Sequence, residues 1–367
     1  MFIHYEAGRA IGTRGHYSCH SCHSWPTPPA AGIKISVNPC NPWPNCRNFW
    51  ATNFSMERKD FLKTTAAVVG AGLLPSLGFG AEEQKKSQLR FAFLTDIHVK
   101  HGIGAEEGMV NALHHAQSLK PKVDFIINGG DSIMDSLAVD KENTRIQWDL
   151  FQTLLKKENG LPVYHCIGNH DVWGWFIKND RPEADKLYGK QWAVELLQLP
   201  ARYYSFTKEN WHFIVLDSTQ LNPEGGYIAY LDEAQLAWVK QELEGNKDKF
   251  ICFVSHIPIL SICAGLFFNK TETNGDLKIQ RNLMHTDFFT LKKLFLQYPN
   301  IKVCLSGHIH LQDELDYLGI RYYCNGAVSG GWWKGAFQDF EPAYAVIELY
   351  KDGSSSRKME YYNAAGS

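Results

Sequence analysis

The sequence has almost no excess of charge of either sign. Its 37 lysines and arginines are balanced by 39 aspartates and glutamates, which gives a formal net charge of -2 over 367 residues. A chain without a basic surplus produces no strong field that attracts nucleic acid or anionic lipid. We therefore expect no stable complex with nucleic acid.

Closely spaced cysteines are also few. Four of the nine cysteines lie near the start of the chain, at Cys19, Cys22, Cys40 and Cys46, and the other five are scattered. The first begins a C-x-x-C-H sequence, the spacing of covalent haem attachment in electron-transfer proteins, and the four cysteines could alternatively hold zinc. Neither hypothesis gains support from the surroundings, because residues 1–55 show no apolar periodicity of a folded core.

An apolar stretch over residues 64–77 is too short to cross a membrane. It has about fourteen residues, whereas a spanning helix needs about 20. Charged residues precede it and small residues follow it, which is typical of a signal peptide over residues 56–81. The pair Arg58-Lys59 also resembles a twin-arginine export signal with lysine in the second place. We expect no stable membrane span and an exported, periplasmic or extracellular protein, with an uncleaved membrane anchor as the alternative.

The position of this signal divides the chain. Because a signal peptide begins a protein, Met56 is the expected native start. Residues 1–55 are then an upstream segment that is non-native or disordered. Residues 89–362 form the predicted folded domain, which is long enough to bury a large core.

Within that domain, apolar runs rich in β-formers alternate with helical patterns, as in α/β proteins. The patterns predict strands over residues 89–95, 123–128, 162–167, 203–206, 211–216, 250–255, 301–305, 321–324 and 344–350. They predict helices near residues 105–119, 143–157, 232–244 and 286–298. The glycine, asparagine and proline content predicts long loops within residues 172–230 and 261–284.

Polar residues cluster where the predicted strands end. The clusters are Asp96-Ile97-His98, Gly129-Gly130-Asp131, Gly168-Asn169-His170-Asp171, His256 and Ser306-Gly307-His308-Ile309-His310. Ligands collect at the carboxyl ends of strands in open α/β sheets. We therefore expect these distant residues to converge on one site.

The composition of each cluster suits metal binding. In extended chain, residues i and i+2 share a face, so Asp96 and His98 can face one ion, and His308 and His310 again share a face. Gly168 to Asp171 supplies an amide, a titratable ring and a carboxylate that could orient that ring. Taken alone, Gly129-Gly130-Asp131 could equally be a turn.

In this order and spacing, the motifs D-x-H, G-G-D, G-N-H-D, a lone strand-end histidine and G-H-x-H resemble the calcineurin-like metallophosphoesterase superfamily. The resemblance covers about residues 89–350 and is strongest to bacterial cyclic-nucleotide-phosphodiesterase-like members. It implies an α/β fold, a four-layer α-β-β-α sandwich with two mixed sheets.

The resemblance also implies a site. Asp96, His98 and His310 would hold one metal, Asn169, His256 and His308 a second, and Asp131 would bridge both. His170 matches the family's catalytic histidine, with Asp171 beside it as a second catalytic residue. Two divalent or mixed-valence ions of Fe, Mn or Zn suit these ligands.

The expected function is hydrolysis of a small phosphate ester. The resemblance implies that metal-bound hydroxide attacks a phosphodiester or phosphomonoester, with cyclic nucleotides among the candidate substrates. The alternative is a non-catalytic interaction module on the same fold, which the complete ligand set and His170 argue against.

Further residues have two interpretations each. His285 is a candidate substrate ligand or a neighbour of a helix N-cap. Trp173, Trp175, Trp332 and Trp333 could stack on a base or sugar, or form a packed rim.

Two additional expectations concern side chains near or within the predicted strands. Asp135 lies one residue later than the second aspartate of the family's G-D-x-x-D variant, so we expect a turn or an indirect partner rather than a metal ligand. Cys166, Cys252, Cys304 and Cys324 fall in apolar runs and are predicted to be buried thiols.

Overall fold

The strands of the protein alternate with helices as the sequence patterns predict. The structure is a computed structural model, and it describes residues 86–178, 182–268 and 270–364. The predicted upstream segment 1–55 and signal peptide 56–81 lie outside these residues. In the described part, no helix combines the length and the apolar character needed to cross a membrane.

The elements have the following bounds. The strands are β1 Leu89–Leu94, β2 Phe125–Asn128, β3 Val163–His165, β4 Tyr204–Lys208, β5 Trp211–Val215, β6 Thr219–Leu221, β7 Tyr227–Ala229, β8 Phe250–Val254, β9 Lys270–Thr271, β10 Leu277–Lys278, β11 Ile301–Ser306, β12 Gln312–Tyr317, β13 Ile320–Asn325, β14 Ala343–Leu349 and β15 Ser355–Tyr361. The helices are α1 Ala105–Ser118, α2 Lys141–Glu158, α3 Gln191–Leu196, α4 Glu233–Gly245, α5 Ile262–Phe267 and α6 Phe288–Phe295.

Most strands belong to two mixed sheets. The first sheet has the order β15-β14-β1-β2-β3, and the second has the order β12-β13-β11-β8-β5-β4. Strands β1, β2 and β3 are parallel, as are β5, β8, β11 and β13. Strand β14 is antiparallel to both β1 and β15, and β12 and β4 are antiparallel to β13 and β5. The parallel strands of each sheet therefore bring their carboxyl ends to one edge.

The alternation of side chains along β1 separates two layers of the core. Phe91 and Phe93 pack between the sheets, where Phe213 of β5 also lies. Ala92 and Leu94 point to the other face and pack with residues of α1 and α2. These four side chains of β1 are all buried, so this strand is covered on both faces, as parallel strands usually are.

The second sheet has an equivalent outer layer. Ile214 of β5 and Phe253 of β8 pack against Val239 of α4 and Leu291 of α6. Together with the layer formed by α1 and α2, the order is helix, sheet, sheet, helix. The predicted four-layer α-β-β-α sandwich with two mixed sheets is therefore confirmed.

Capping residues begin two of these helices where the sequence changes from polar to amphipathic. The side chain of Asp140 accepts from the backbone N–H of Asn143 at the start of α2. Asp232 accepts in the same way from Gln235 at the start of α4. Each cap satisfies an N–H that has no partner within its helix.

The predicted elements differ from the structure mainly at the sheet edges. Strands β12 and β15 were not expected, and each is the outermost strand of its sheet. The region 261–284, predicted as a loop, contains α5 and the short pair β9-β10. The four thiols predicted to be buried, those of Cys166, Cys252, Cys304 and Cys324, are buried and free.

Candidate metal centre

The polar clusters of the sequence meet at the carboxyl ends of β1, β2, β3, β8 and β11. Three overlapping groups have their potential ligand atoms within 4.8 Å of one another: Asp96, His98 and His310; His98, Asp131 and His170; Asp131, His256 and His308. These side chains are buried, except that His170 and His308 are half-buried. Both sheets thus contribute to one site.

The first cluster consists of Asp96, His98 and His310. The Nε2 atoms of His98 and His310 are 3.1 Å apart. Oδ1 of Asp96 lies 3.4 Å from Nε2 of His310 and 4.0 Å from Nε2 of His98. Ligands bound at about 2.0–2.2 Å to one tetrahedral ion have comparable mutual spacings.

The second cluster consists of Asn169, His256 and His308. Nε2 of His256 lies 3.1 Å from Oδ1 of Asn169, so the amide oxygen faces the ring. His308 approaches His256 with a distance of 5.1 Å between ring centroids. This cluster has one neutral oxygen ligand in place of the carboxylate found in the first.

Asp131 lies between the two clusters. Its Oδ2 atom is 3.6 Å from Nε2 of His98 and 3.2 Å from Nε2 of His256. Its Oδ1 atom accepts the backbone N–H of His170 at 2.7 Å, which fixes the carboxylate in this orientation. One oxygen atom can therefore contact ions on both sides.

Backbone carbonyls determine which nitrogen of three rings faces the site. Nδ1 of His256 lies 2.9 Å from the carbonyl oxygen of Gly129, and Nδ1 of His310 lies 2.5 Å from that of Gly330. Nε2 of His308 lies 2.8 Å from the carbonyl oxygen of Asn282. A carbonyl only accepts, so each of these nitrogens carries a proton and the opposite nitrogen is the one available to a cation.

The donor set fits divalent cations. Nδ1 of His308 is buried and has no hydrogen-bond partner among the described residues, although the opposite nitrogen of the ring is satisfied. A buried polar atom without a partner is costly unless a ligand satisfies it. Imidazole nitrogens together with carboxylate and amide oxygens suit Fe, Mn or Zn.

The backbone around the site is strained. Asp96, His98, Asp131, His308 and His310 all have positive φ angles, between 48° and 71°. Residues other than glycine rarely adopt this conformation, and it persists only where the surroundings enforce it.

Two glycines of the motifs allow a close approach of chain segments. A Cβ atom at Gly168 would lie 2.1 Å from Oδ1 of Asp131, and one at Gly307 would lie 2.3 Å from Oδ2 of Asp96. The glycines in G-N-H-D and G-H-x-H therefore leave room for the carboxylates.

A segment before β14, residues 328–333, supports the first cluster through hydrogen bonds to its backbone. Val328 donates its N–H to the carbonyl oxygen of Thr95, and Ser329 donates its N–H and its hydroxyl to that of Asp96. The indole N–H of Trp333 donates to the carbonyl oxygen of His98 at 3.0 Å. We call residues 328–333 the strap. No sequence motif pointed to this support.

Comparison with known proteins agrees with this geometry. The calcineurin-like phosphoesterase family matches residues 89–312, which is more than half of the chain. The chain belongs to the calcineurin-like phosphoesterase family. It is therefore a metal-dependent hydrolase of phosphoric esters, as the motifs predict, and the family uses divalent metals.

Curated relatives are distant. The phosphoesterase is 24% identical over 288 residues to a 3',5'-cyclic-nucleotide phosphodiesterase from Nostoc sp., covering 75% of this chain and 93% of the relative. It is 25% identical over 224 residues to a probable glycerophosphodiester phosphodiesterase from Arcobacter nitrofigilis, covering 59% and 70%. A dimetal phosphatase from Danio rerio has the same fold, with a TM-score of 0.53, 14% identity, and coverage of 76% of this chain and 100% of that one.

The charges of the phosphoesterase site in the absence of cations depend on burial and on the two aspartates. Burial lowers the pKa of His98 and of His308 to about 3, so these rings are neutral. Burial also opposes a charge on His256, but Asp131 and Asp96 outweigh it and raise the pKa of His256 to about 9. A cation would take the place of the proton on His256.

The carboxylate that contacts His170 belongs to Asp135 and not, as predicted, to Asp171. Asp171 does not orient His170: its Oδ1 accepts from Ser132 at 2.8 Å and its Oδ2 from Gly168 at 2.9 Å. Asp171 thus joins two loops in the buried interior, with no substrate access. Instead, Oδ1 of Asp135 lies 3.2 Å from Nδ1 of His170, which makes Asp135 the indirect partner considered above.

The structure places His285, the candidate substrate ligand, in the interior beside a helix start. The residue is 2% exposed, and both ring nitrogens have partners. Nδ1 lies 2.9 Å from Oδ1 of Asp287, and Nε2 lies 3.2 Å from Oγ of Ser255. This resembles a catalytic triad, but the hydroxyl of Ser255 donates to the carbonyl oxygen of Ile257 and is buried, so it is no nucleophile. The trio supports the loop that carries His256.

The tryptophans differ in whether they are packed in the interior or lie beside the site. Trp173 is 4% exposed and packs edge-on against Trp192, and Trp333 is also buried. Trp175 is half-buried, with the Lys190 ammonium 5.3 Å from its ring centroid. Trp332 is the one that lies beside the metal centre, with its ring 4.4 Å from that of His310.

Proposed function

We propose that this chain is a binuclear phosphodiesterase. The observation that carries the proposal is the position of Asp131, one oxygen of which lies within 3.6 Å of a histidine nitrogen in each cluster. A single carboxylate oxygen in this place can contact two cations and hold them close together.

Each cation has its own set of ligands in this proposal. Asp96, His98 and His310 hold the first, and Asn169, His256 and His308 hold the second. Two cations bound there would neutralise charge on the phosphoryl group and lower the pKa of an attacking water. Asp131 contributes to both sets.

His170 acts as the general acid in this proposal. It lines the cavity next to the metal centre, and Asp135 accepts from its Nδ1, so Nε2 is the atom that can give a proton to the leaving oxygen. Burial disfavours the charged ring, but Asp131 and Asp135 outweigh it and raise the pKa of His170 to about 9. Without cations in the site, the ring therefore carries its proton at neutral pH. Asp135 has a positioning role.

The names of the relatives favour a phosphodiester over a phosphomonoester. One relative is a cyclic-nucleotide phosphodiesterase and another is a probable glycerophosphodiester phosphodiesterase. Cyclic nucleotides are thus the first substrates to test. The complete ligand set and the proton on His170 support an enzyme rather than a non-catalytic module.

A substrate panel tests the proposal. Protein reconstituted with Mn, Fe or Zn is assayed with 3',5'-cyclic nucleotides, aryl diesters and aryl monoesters, and its metal content is measured in parallel. We expect two metals per chain and faster turnover of diesters. One metal per chain would contradict the binuclear centre, and a preference for monoesters would contradict the diester assignment.

We also propose that the protein is exported. The signal-peptide pattern over residues 56–81 predicts a mature chain that begins between about Gly80 and Glu83. N-terminal sequencing or intact mass of exported protein measures this directly. An exported species that retains Cys19 and Cys22 would contradict both the expected start at Met56 and the cleavage.

A further inference from the structure

A cavity of about 160 Å³ adjoins the metal centre, and one of its walls is aromatic. The polar end contains Asp131, Asn169, His170, His308 and His310. The other end is lined by Tyr227, Phe268, Leu283, Trp332 and Phe337. We propose that this end binds an uncharged aromatic ring carried by the substrate. The inference rests on the proposed function, because the reacting phosphate must lie at the polar end.

The shape of the wall suits a flat group. The ring of Trp332 lies 5.2 Å from that of Phe337, nearly perpendicular at 83°, so the two form a corner. Phe268 is stacked against Phe337, with ring centroids 6.1 Å apart. A ring seated in such a corner can stack on one side chain and meet the other edge-on, the two arrangements that aromatic pairs prefer.

The position of Trp332 is enforced by its backbone. Trp332 and Trp333 are consecutive residues with positive φ angles of 53° and 65°. This conformation is unfavourable for bulky residues, so the surrounding contacts must maintain it. The indole N–H of Trp333 anchors the strap to His98, and as a result Trp332 stays beside His310.

The lack of positive charge in the cavity lining disfavours anionic substituents on the substrate. Among the described residues that line the cavity there is no lysine or arginine. Proteins recognise phosphates and carboxylates largely through such residues. A second phosphate on the substrate would therefore find no cationic side chain of lysine or arginine among the described residues at the aromatic end.

Binding of small phosphorus acids to the Mn-loaded protein, measured by calorimetry, tests the proposal without turnover. Phenylphosphonate and methylphosphonate differ only in the ring, and we expect the phenyl compound to bind roughly tenfold more tightly. Uridine 5'-monophosphate and ribose 5-phosphate differ in the base. A preference in both pairs identifies a nucleobase site, and a preference in the phenyl pair alone identifies a site for other aryl groups.

The variants Trp332→Leu and Phe337→Leu should each reduce the phenyl-to-methyl ratio to about threefold or less. Phe289→Leu is the matched control, because Phe289 is 72% exposed and lies outside the cavity lining, and it should retain the ratio. A ratio within one protein is unaffected by a partly unfolded fraction. Equal affinities in the wild type, or an unchanged ratio in both cavity variants, would overturn the proposal. Ring preference without any esterase activity would instead overturn the proposed function and leave ring binding intact.

Discussion

The two halves of the metal centre differ in charge and in support. The first cluster has a carboxylate of its own, Asp96, and the strap braces the backbone of Asp96 and His98. The second has the neutral amide of Asn169, and its rings depend on single carbonyls of Gly129 and Asn282. More negative charge and more bracing should make the first cluster the tighter site. Asp131 belongs to both, so a series of substitutions can separate the two halves.

The largest effect is expected for Asp131→Asn, because this residue belongs to both halves. The substitution weakens both cations and the link between them, so the loss of activity should exceed the about 10²–10⁴-fold that a general acid contributes. Metal analysis and kinetics on the same sample measure it. Two tightly bound metals with near-normal rates would contradict the binuclear assignment.

Next in size is His170→Ala, which should lower activity while leaving both halves loaded. An alkoxide needs a proton to leave, whereas nitrophenolate does not, so we expect a loss of about 10²–10⁴-fold on an alkyl or nucleoside ester and a distinctly smaller loss on a nitrophenyl ester. His114→Ala is the control, since that ring is 55% exposed and pairs with Glu158. Equal losses on both esters would indicate phosphate positioning, and a lost metal would show that His170 is a ligand.

Asp96→Asn and Asn169→Ala test the two halves separately. Asp96→Asn should deplete the first cation and Asn169→Ala the second, with activity losses on the order of the 10–100-fold known for changes around metal sites, or larger. The second half has no carboxylate apart from the shared Asp131. A chelator should therefore remove the cation of the second half first from the wild type. Metal release followed over time against increasing chelator measures the order. Simultaneous release of both cations would contradict the expected difference in metal affinity between the two clusters.

The smallest effect concerns the strap. Trp333→Phe keeps a smaller aromatic ring but removes the indole N–H that donates to the carbonyl oxygen of His98, so the first cation should bind about tenfold more weakly while the second is unchanged. Trp211→Phe is the matched control, because its indole N–H donates to the carbonyl oxygen of Tyr350 far from the site. Both variants should lose similar thermal stability. An equal loss of metal affinity in the two would assign the effect to stability alone.

Prediction from sequence succeeded for strands whose own residue pattern identifies them. β1, β2, β8 and β11 are short, almost wholly apolar runs, and the polar motifs follow them directly, so their convergence at one edge could be expected. β12 and β15 could not, because QDELDY and SSRKMEY are polar sequences. Edge strands have one paired side, and their pairing with β13 and β14 comes from the sheet rather than from their own pattern.

Within the site, the structure differs from the predictions in the side chain that accepts a hydrogen bond from His170. Asp171 is next to His170 in sequence, but the turn of the loop directs it to the amides of Ser132 and Gly168, and Asp135 reaches the ring from another loop. The strap acts mainly through backbone groups, which have no signature in the residue types. The tryptophan pair in Gly330 to Gly335 was the one available signal, and it did not show which ring is buried.

The position of the strap in the sequence also determines when the metal centre can form during synthesis of the chain. The first cluster needs Asp96 and His310, and its support arrives only with residues 328–333. β1, which carries Asp96, remains an edge strand until β14 pairs with it at Leu349 and the residues before it. A growing chain therefore holds most of its ligands long before it can arrange them. The competent site forms only after the strap and β14 are in place, so possession of the first cation marks a chain that has been made and folded at least as far as β14.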